Sequence, residues 1–446
     1  MPPPSSAFRK PASSGLALKR YAPVVGVTVL LTLAISNFLK PQPISDHRPH
    51  GQRDFLPSSH AGLLEAGGDG SRQSPRWELP EDWKKKIVAA VPMSTAGMPW
   101  VKAGRAWRRG VRTAFVTDFY PTAEQILDGG THGETFVFLN TSNVPYHYYG
   151  KAAMVPSTVS EHFGDTTYEW LLYGDDDTVW FMDSVVDIIS KLDPNLPWMI
   201  TDHFWFWRKP LNSGPVHPAF DAPRCVPCGY NKSQINVAAL GFDPPQACPY
   251  CTVDMLCKAD ARKELYVQEE GKPCTFNFMY PQDGEYLAHG GGGMILSVGL
   301  MRILPVAYML DCIQNKFSPD KVFGGDTLFH HCILFKGIAP TDPGHYTWDQ
   351  GFNGFDPGGQ LVRSVVDLFY GYLKKGCCDG LCEARLKALT TLHLRGMHFK
   401  EPEAAMEYMR LLVDLRDLYV HVRDKGLLNG GHPALPDSWD NHKVCA

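Results

Sequence analysis

Charge of either sign is missing from Ala22 to Leu39, and acidic residues are missing from everything before Tyr21. Cysteine is missing from the first half of the chain: none of the 12 precedes Cys225. No internal repeat is visible, which excludes a solenoid or propeller. A large excess of one charge is lacking too: 43 Lys and Arg against 47 Asp and Glu leave a formal net charge of -4. That balance gives no argument for a nucleic-acid partner. With 44% hydrophobic and 20% charged residues, the 446-residue chain has ordinary globular composition. It is long enough for two or three average domains or one large α/β domain with appendages.

The uncharged stretch follows Arg9, Lys10, Lys19 and Arg20 and is closed by Lys40. As a helix, its residues would span roughly 27 Å, which suits the thinner membranes of the early secretory pathway. Pro23 falls at its start, where proline is tolerated. Positive charge ahead of the span predicts a cytoplasmic tail over 1–21, an uncleaved transmembrane anchor over 22–39 and a lumenal remainder. A cleaved signal peptide is the alternative. Residues 40–80, rich in Pro, Gly, Ser and His, read as a flexible stem. The folded part is expected over 81–446, with a Cys-rich insertion at about 210–282.

In a lumenal domain, Asn140-Thr141-Ser142 and Asn231-Lys232-Ser233 would be glycosylation sequons. The pairs Cys225-x-x-Cys228 and Cys248-x-x-Cys251 have zinc-site spacing. An oxidising lumen turns the preference to disulfides, zinc being the alternative, and spacing does not give the connectivity.

Chemistry concentrates after Trp170-Leu171-Leu172-Tyr173. This apolar run, read as a strand over 169–173, ends in Gly174 and then Asp175-Asp176-Asp177-Thr178. Three adjacent carboxylates repel one another unless a positive partner sits against them. A hard divalent cation with oxygen ligands is the simplest such partner. The carboxyl ends of strands are also where open α/β sheets bind ligands. Further strands are expected at Arg112–Val116, Thr135–Leu139 and Trp198–Thr201, and a helix from Met182 to Leu192, making strand, acidic turn, helix and strand a βαβ unit.

Downstream, Gly290-Gly291-Gly292-Gly293 admits positive φ and close backbone approach, and the apolar residues after it suggest a helix whose N-terminus faces the loop. Asp326 precedes the apolar segment Leu328–Leu334, as a helix cap or as a base for an attacking hydroxyl. His393 and His398 are late imidazoles of the kind that bind metals. Phe204-Trp205-Phe206-Trp207 suits core packing or stacking on sugar rings, and 401–424 suits a packing helix.

Taken together these motifs resemble the Fringe-like branch of inverting glycosyltransferases, including plant and algal members, over roughly Arg112 to Met397 apart from the Cys-rich stretch. The resemblance is strongest from Glu169 to Asp202. The family's Gly-Gly-Ala-Gly loop followed by Leu-Ser is similar to Gly290–Ser297, with glycine in place of alanine. Gly325-Asp326, Cys332, Gly337, Pro343-Gly344-His345 and Asp349 resemble the plant-type order, though Phe is missing before His345 and Tyr346 replaces Gln. Leu392-His393-Leu394 resembles the late histidine motif, where the family usually has two histidines close together.

The resemblance implies a GT-A-type, Rossmann-like nucleotide-sugar-binding α/β fold, a UDP-sugar donor, Mn²⁺ or another divalent cation, and a glycan or glycoprotein acceptor. It implies a type II Golgi membrane protein moving a hexose or N-acetylhexosamine into a β-1,3 linkage with inversion. Asp177 and His393 would hold the metal, while Asp175 and Asp176 would bind ribose and metal-bound water. Gly291, Gly292 and Gly293 would line the donor site, and Asp326 would be the base. Such a metal would stabilise the departing diphosphate as a Lewis acid. Two other readings are a haloacid-dehalogenase-type phosphatase, which carries a strand followed by Asp-x-Asp, and a non-catalytic lectin-like binder on the same fold.

Overall fold

The computed structural model describes residues 76–206, 222–231, 242–277, 286–317, 324–343, 386–394 and 402–425, with Val365, Phe369, Tyr372 and Leu373. The expected tail, anchor and most of the stem lie outside these residues. So do His345, Asp349, His398 and Cys377, Cys378, Cys382 and Cys445. Among the described residues no helix is long and apolar enough to cross a membrane. The end of the expected stem is packed, with Leu79 buried in the core and Trp77 set against it.

The first described elements are helix α1 (Glu81–Lys86) and strand β1 (Ile87–Pro92). Helix α2 (Met98–Gly104), β2 (Arg112–Thr117), α3 (Ala123–Gly130) and β3 (Glu134–Phe138) follow. Next come α4 (His147–Phe163), β4 (Trp170–Tyr173), β5 (Thr178–Trp180), α5 (Met182–Ile189), β6 (Met199–Ile200) and β7 (Phe204–Phe206). Four two-residue strands, β8 (Val226–Pro227), β9 (Gln246–Ala247), β10 (Tyr266–Val267) and β11 (Thr275–Phe276), surround α6 (Val253–Ala259). The chain continues through β12 (Tyr286–Ala288), β13 (Met294–Ser297), α7 (Val298–Arg302), α8 (Val306–Asn315), α9 (Gly325–Phe335), β14 (Thr391–His393) and α10 (Pro402–Lys425).

The central sheet has the order β3-β2-β1-β4-β13-β6. β1 runs parallel to both β2 and β4, and β2 parallel to β3, while β13 is antiparallel to β4 and β6. β1 and β4 are near-continuous apolar runs because both faces of the sheet are covered. Chain order reverses between β1 and β4, so the crevice beyond their carboxyl ends is the topological switch point of the sheet.

Three expectations need correcting. β1, the middle of the parallel set, gives no alternation to detect and the sequence reading passes over it. The segment after the glycine run is strand β13, not a helix. Its residues Ile295 and Leu296 pair on both edges, with β4 and β6, and helix α7 begins only at Val298. β13 also separates β4 from β6, so strand, acidic turn and helix do not close a simple βαβ unit.

The two Cys-x-x-Cys pairs are cross-linked to each other as Cys225–Cys251 and Cys228–Cys248. Cys257–Cys274 and Cys312–Cys332 are also disulfides, the latter joining α8 to α9. The segment 401–424 forms α10, which buries Met409, Leu412 and Leu415. Its Arg416 reaches Asp183 on α5 at 2.8 Å. Phe204 is fully buried, and the side chains of Trp205 and Phe206 lie outside the described residues.

One contact fixes the sheet to the helix that crosses it. Pro156 sits inside α4 and has no N–H, so the carbonyl of Ala152 loses its helical partner. The hydroxyl of Tyr173, the last residue of β4, donates to that carbonyl at 2.9 Å. Tyr173 is 1% exposed, so no solvent replaces the bond. Tyr173→Phe is therefore expected to destabilise the fold by about 1–2 kcal/mol, read as a lowered denaturant midpoint at unchanged slope. An unchanged midpoint would show that Ala152 finds another donor.

Candidate functional site

The acidic turn follows β4 at the switch point, and three strands of chain converge on it. β5 resumes at Thr178, where β14 pairs antiparallel to it and sets His393 opposite Thr178. The N–H of Leu394 donates to the Asp177 carbonyl at 3.1 Å, locking the register. As a result His393 Nε2 lies 3.1 Å from Asp177 Oδ1 and 3.9 Å from Asp175 Oδ2. Asp175, Asp177 and His393 each offer one ligand atom, all within 4.8 Å of one another.

Two carboxylate oxygens and one imidazole nitrogen suit a first-row divalent cation or Mg²⁺. The neutral imidazole would bind through Nε2 with its proton on Nδ1. The Asp175 side chain is 43% exposed, against 13% for Asp177 and 10% for His393, so the cluster opens to solvent on the Asp175 side. The donor set thus fits a cation.

Asp176 points elsewhere. A Cβ built on Gly97 would lie 2.3 Å from Asp176 Oδ2, so the carboxyl packs into the turn after β1. Burial, then the charges of Asp177 and Asp175, push its pKa up to about 8. The structure joins Asp175, not Asp176, to the pair Asp177 and His393.

The glycine run lies against this cluster. His289 Nδ1 accepts from the Gly292 N–H, shaping a turn over Gly290–Gly292. Thr178 Oγ1 donates to the Gly291 carbonyl at 2.8 Å and Thr391 Oγ1 to the Gly292 carbonyl at 2.6 Å. The space a side chain would need is taken: a Cβ on Gly291 would stand 2.3 Å from His393 Cε1, and one on Gly292 would stand 2.5 Å from His203 Nδ1. Gly293, at φ +85, would meet Trp180 at 2.8 Å. The open sides of these three glycines face the chain's own side chains.

Asp326 meets the other end of the same run. It lies in the first turn of α9, where Gly324 occupies the cap position and no side chain caps the helix. Its Oδ2 accepts from the Gly290 N–H at 3.1 Å and its Oδ1 from the Thr327 N–H at 2.9 Å. Its pKa is raised by desolvation, opposed by these backbone donors. By surface exposure the residue is half-buried. Gly290 and Gly291, adjacent in sequence, therefore touch Asp326 and His393 respectively.

Sequence reading missed His203, whose ring lies 4.9 Å from His289, and His289 itself, 5.4 Å from His393. It also missed Lys151, buried in α4 and paired with Asp118 beyond the end of β2 at 3.0 Å. A lone His or Lys has no local signal; only His289, directly before the glycine run, stood next to one.

No family model matches the chain, and no curated protein matches it. Among solved structures, one that the fold is similar to is the apo-form glycosyltransferase GlyE of Streptococcus pneumoniae TIGR4, at 11% identity and a TM-score of 0.29. The match covers 77% of this chain and 64% of that one, so it spans less than two thirds of that protein. A likeness of that size carries no argument for a shared activity.

Gly291→Ala tests the geometry directly. The added methyl must displace the His393 ring, so Mn²⁺ affinity is expected to fall at least about tenfold, as for loss of an orienting contact. Gly130→Ala, with nothing within 4 Å of the new methyl, is the control. Equal Mn²⁺ binding by both variants in calorimetry would show that His393 does not contribute to a cation site.

Proposed function

We propose that the domain is a glycosyltransferase that takes a UDP-sugar with Mn²⁺ or a related cation and transfers a hexose or N-acetylhexosamine to a hydroxyl of a glycan or glycoprotein. The observation that carries this reading is the pairing of a two-carboxylate, one-imidazole cluster with a separate carboxyl, Asp326, on one glycine run at the sheet's switch point. A bound cation would supply Lewis-acid stabilisation of the departing diphosphate.

The chain's own residues divide the remaining work. Asp175, Asp177 and His393 would hold the cation. Asp176, set against Gly97 with its pKa pushed up to about 8, eases the crowding of charge beside them. Asp326 accepts the proton of the attacking hydroxyl. Backbone donors from Gly290 and Thr327 hold its carboxyl in place, and burial raises its basicity above that of a solvated carboxylate. An inverting transfer with Asp326 as its single base, and the β-1,3 linkage, belong to the same proposal.

The proposal extends to a type II Golgi protein anchored by residues 22–39. Four disulfides among the described residues support an oxidising lumen.

A panel of UDP-sugars, with product mass as readout, identifies the donor. Asp177→Ala is expected to weaken Mn²⁺-dependent UDP binding about tenfold or more; unchanged binding would remove the cation assignment. Asp326→Asn should leave UDP binding within about twofold and lower transfer by at least about 100-fold. Transfer at the wild-type rate would mean that Asp326 is not the base, and phosphate release without donor turnover would favour the phosphatase alternative. A lectin-like binder would turn over no donor at all.

The pH profile adds an independent check. Desolvation raises the folded-state pKa of Asp326, so the base is lost as pH falls through a value above 3.8, the ordinary value for its type. The rate should therefore decline on the acid side with that elevated pKa, and a decline only at the ordinary value would contradict the assignment.

A further inference from the structure

The first turn of α4 is built at some cost and presents an aromatic ring that folding does not need. Tyr146 (φ 63) and His147 (φ 43) are consecutive non-glycine residues in the left-handed region. Such residues cost on the order of 1 kcal/mol or more each and persist only where their surroundings over-determine them. Here Tyr146 is held by its hydroxyl, which donates to the Phe317 carbonyl at 3.1 Å. Gly150 lets the chain fold back on itself, since a Cβ there would lie 2.0 Å from the Pro145 carbonyl oxygen.

The product of this turn is Tyr148, 68% exposed, with Tyr149 edge-on to it at 5.8 Å. Burial cannot explain a large ring left this open.

Position gives the ring a use. The Tyr149 carbonyl lies 2.8 Å from where a Gly325 Cβ would be, one residue before Asp326. On the other side, Ala152 receives the Tyr173 hydroxyl, two residues before Asp175. The turn therefore bridges the start of α9 and the end of β4, the elements that carry the proposed base and the cation cluster. The charges of Asp175, Asp176 and Asp177 also act on the phenol and, behind desolvation, raise its pKa. A flat, open ring on the turn that touches both elements matches the apolar C–H face of a pyranose.

We infer that Tyr148 is the platform on which the hexose ring of the sugar donor stacks, making it a residue that sets donor affinity. This rests on the glycosyltransferase reading above.

The test compares UDP with UDP-glucose, UDP-galactose and UDP-N-acetylglucosamine, each binding the full chain with Mn²⁺ in calorimetry, using whichever donor the wild type turns over. Tyr148→Ala and Tyr148→Leu are expected to weaken the UDP-hexose by about tenfold, while UDP stays within about twofold. Tyr148→Phe, which keeps the ring, should restore hexose affinity.

Equal losses for UDP and UDP-hexose would mean a disturbed cation site and overturn the inference. So would unchanged affinities in both variants, or an effect seen only in the KM for acceptor. Each of these leaves the glycosyltransferase reading standing. A wild-type chain that binds Mn²⁺ and UDP but turns over no sugar donor would remove that reading, and this inference with it.

Discussion

Crowding of negative charge after β4 is the constraint around which the site is organised. Three consecutive aspartates at the mouth of a parallel sheet cannot all stay ionised side by side without compensation. The fold answers in two ways. It turns Asp176 toward Gly97, where desolvation and the neighbouring acids push its pKa up to about 8. It also brings His393 to the other two, through the pairing of β14 with β5. Much of the local architecture serves that second answer. The glycine run has no side chain where the imidazole must sit, and Thr178 and Thr391 hold its carbonyls on either side.

The same run links the two halves of the proposed chemistry. A single peptide step separates the residue that seats the imidazole from the residue whose N–H steadies Asp326. Strand β13, which continues the run, pairs directly with β4. Acid cluster and α9 carboxyl therefore meet on the glycine turn that leads into the central sheet. Support from a rigid element positions reacting groups without further ordering cost.

Several of these pieces were legible in the chain. The acidic triplet stands after an unmistakable apolar run, and β2, β3, β4 and α10 show the patterns their environments require. β1 was not legible, because a strand buried on both faces shows no alternation and Ile87–Pro92 offers only a short apolar run after three lysines. The strand after the glycines was misread for a related reason: Met294-Ile295-Leu296 is short and wholly apolar, and periodicity cannot tell such a segment from a buried helix. At the site, which aspartate turns inward depends on the space at Gly97, some 80 residues away in sequence. Tyr148 carried no signal at all, since its placement follows from two left-handed residues that only the backbone reveals.

The partner strand that delivers His393 stands more than 200 residues downstream of the aspartates it serves. During synthesis the acidic turn and most of the sheet emerge first, and contacts that span so much chain form late. The candidate cation cluster is therefore expected to be among the last features to assemble. Fragments that stop short of Thr391 carry the aspartates without their imidazole, so a partly made chain has no complete set of ligands with which to capture a metal.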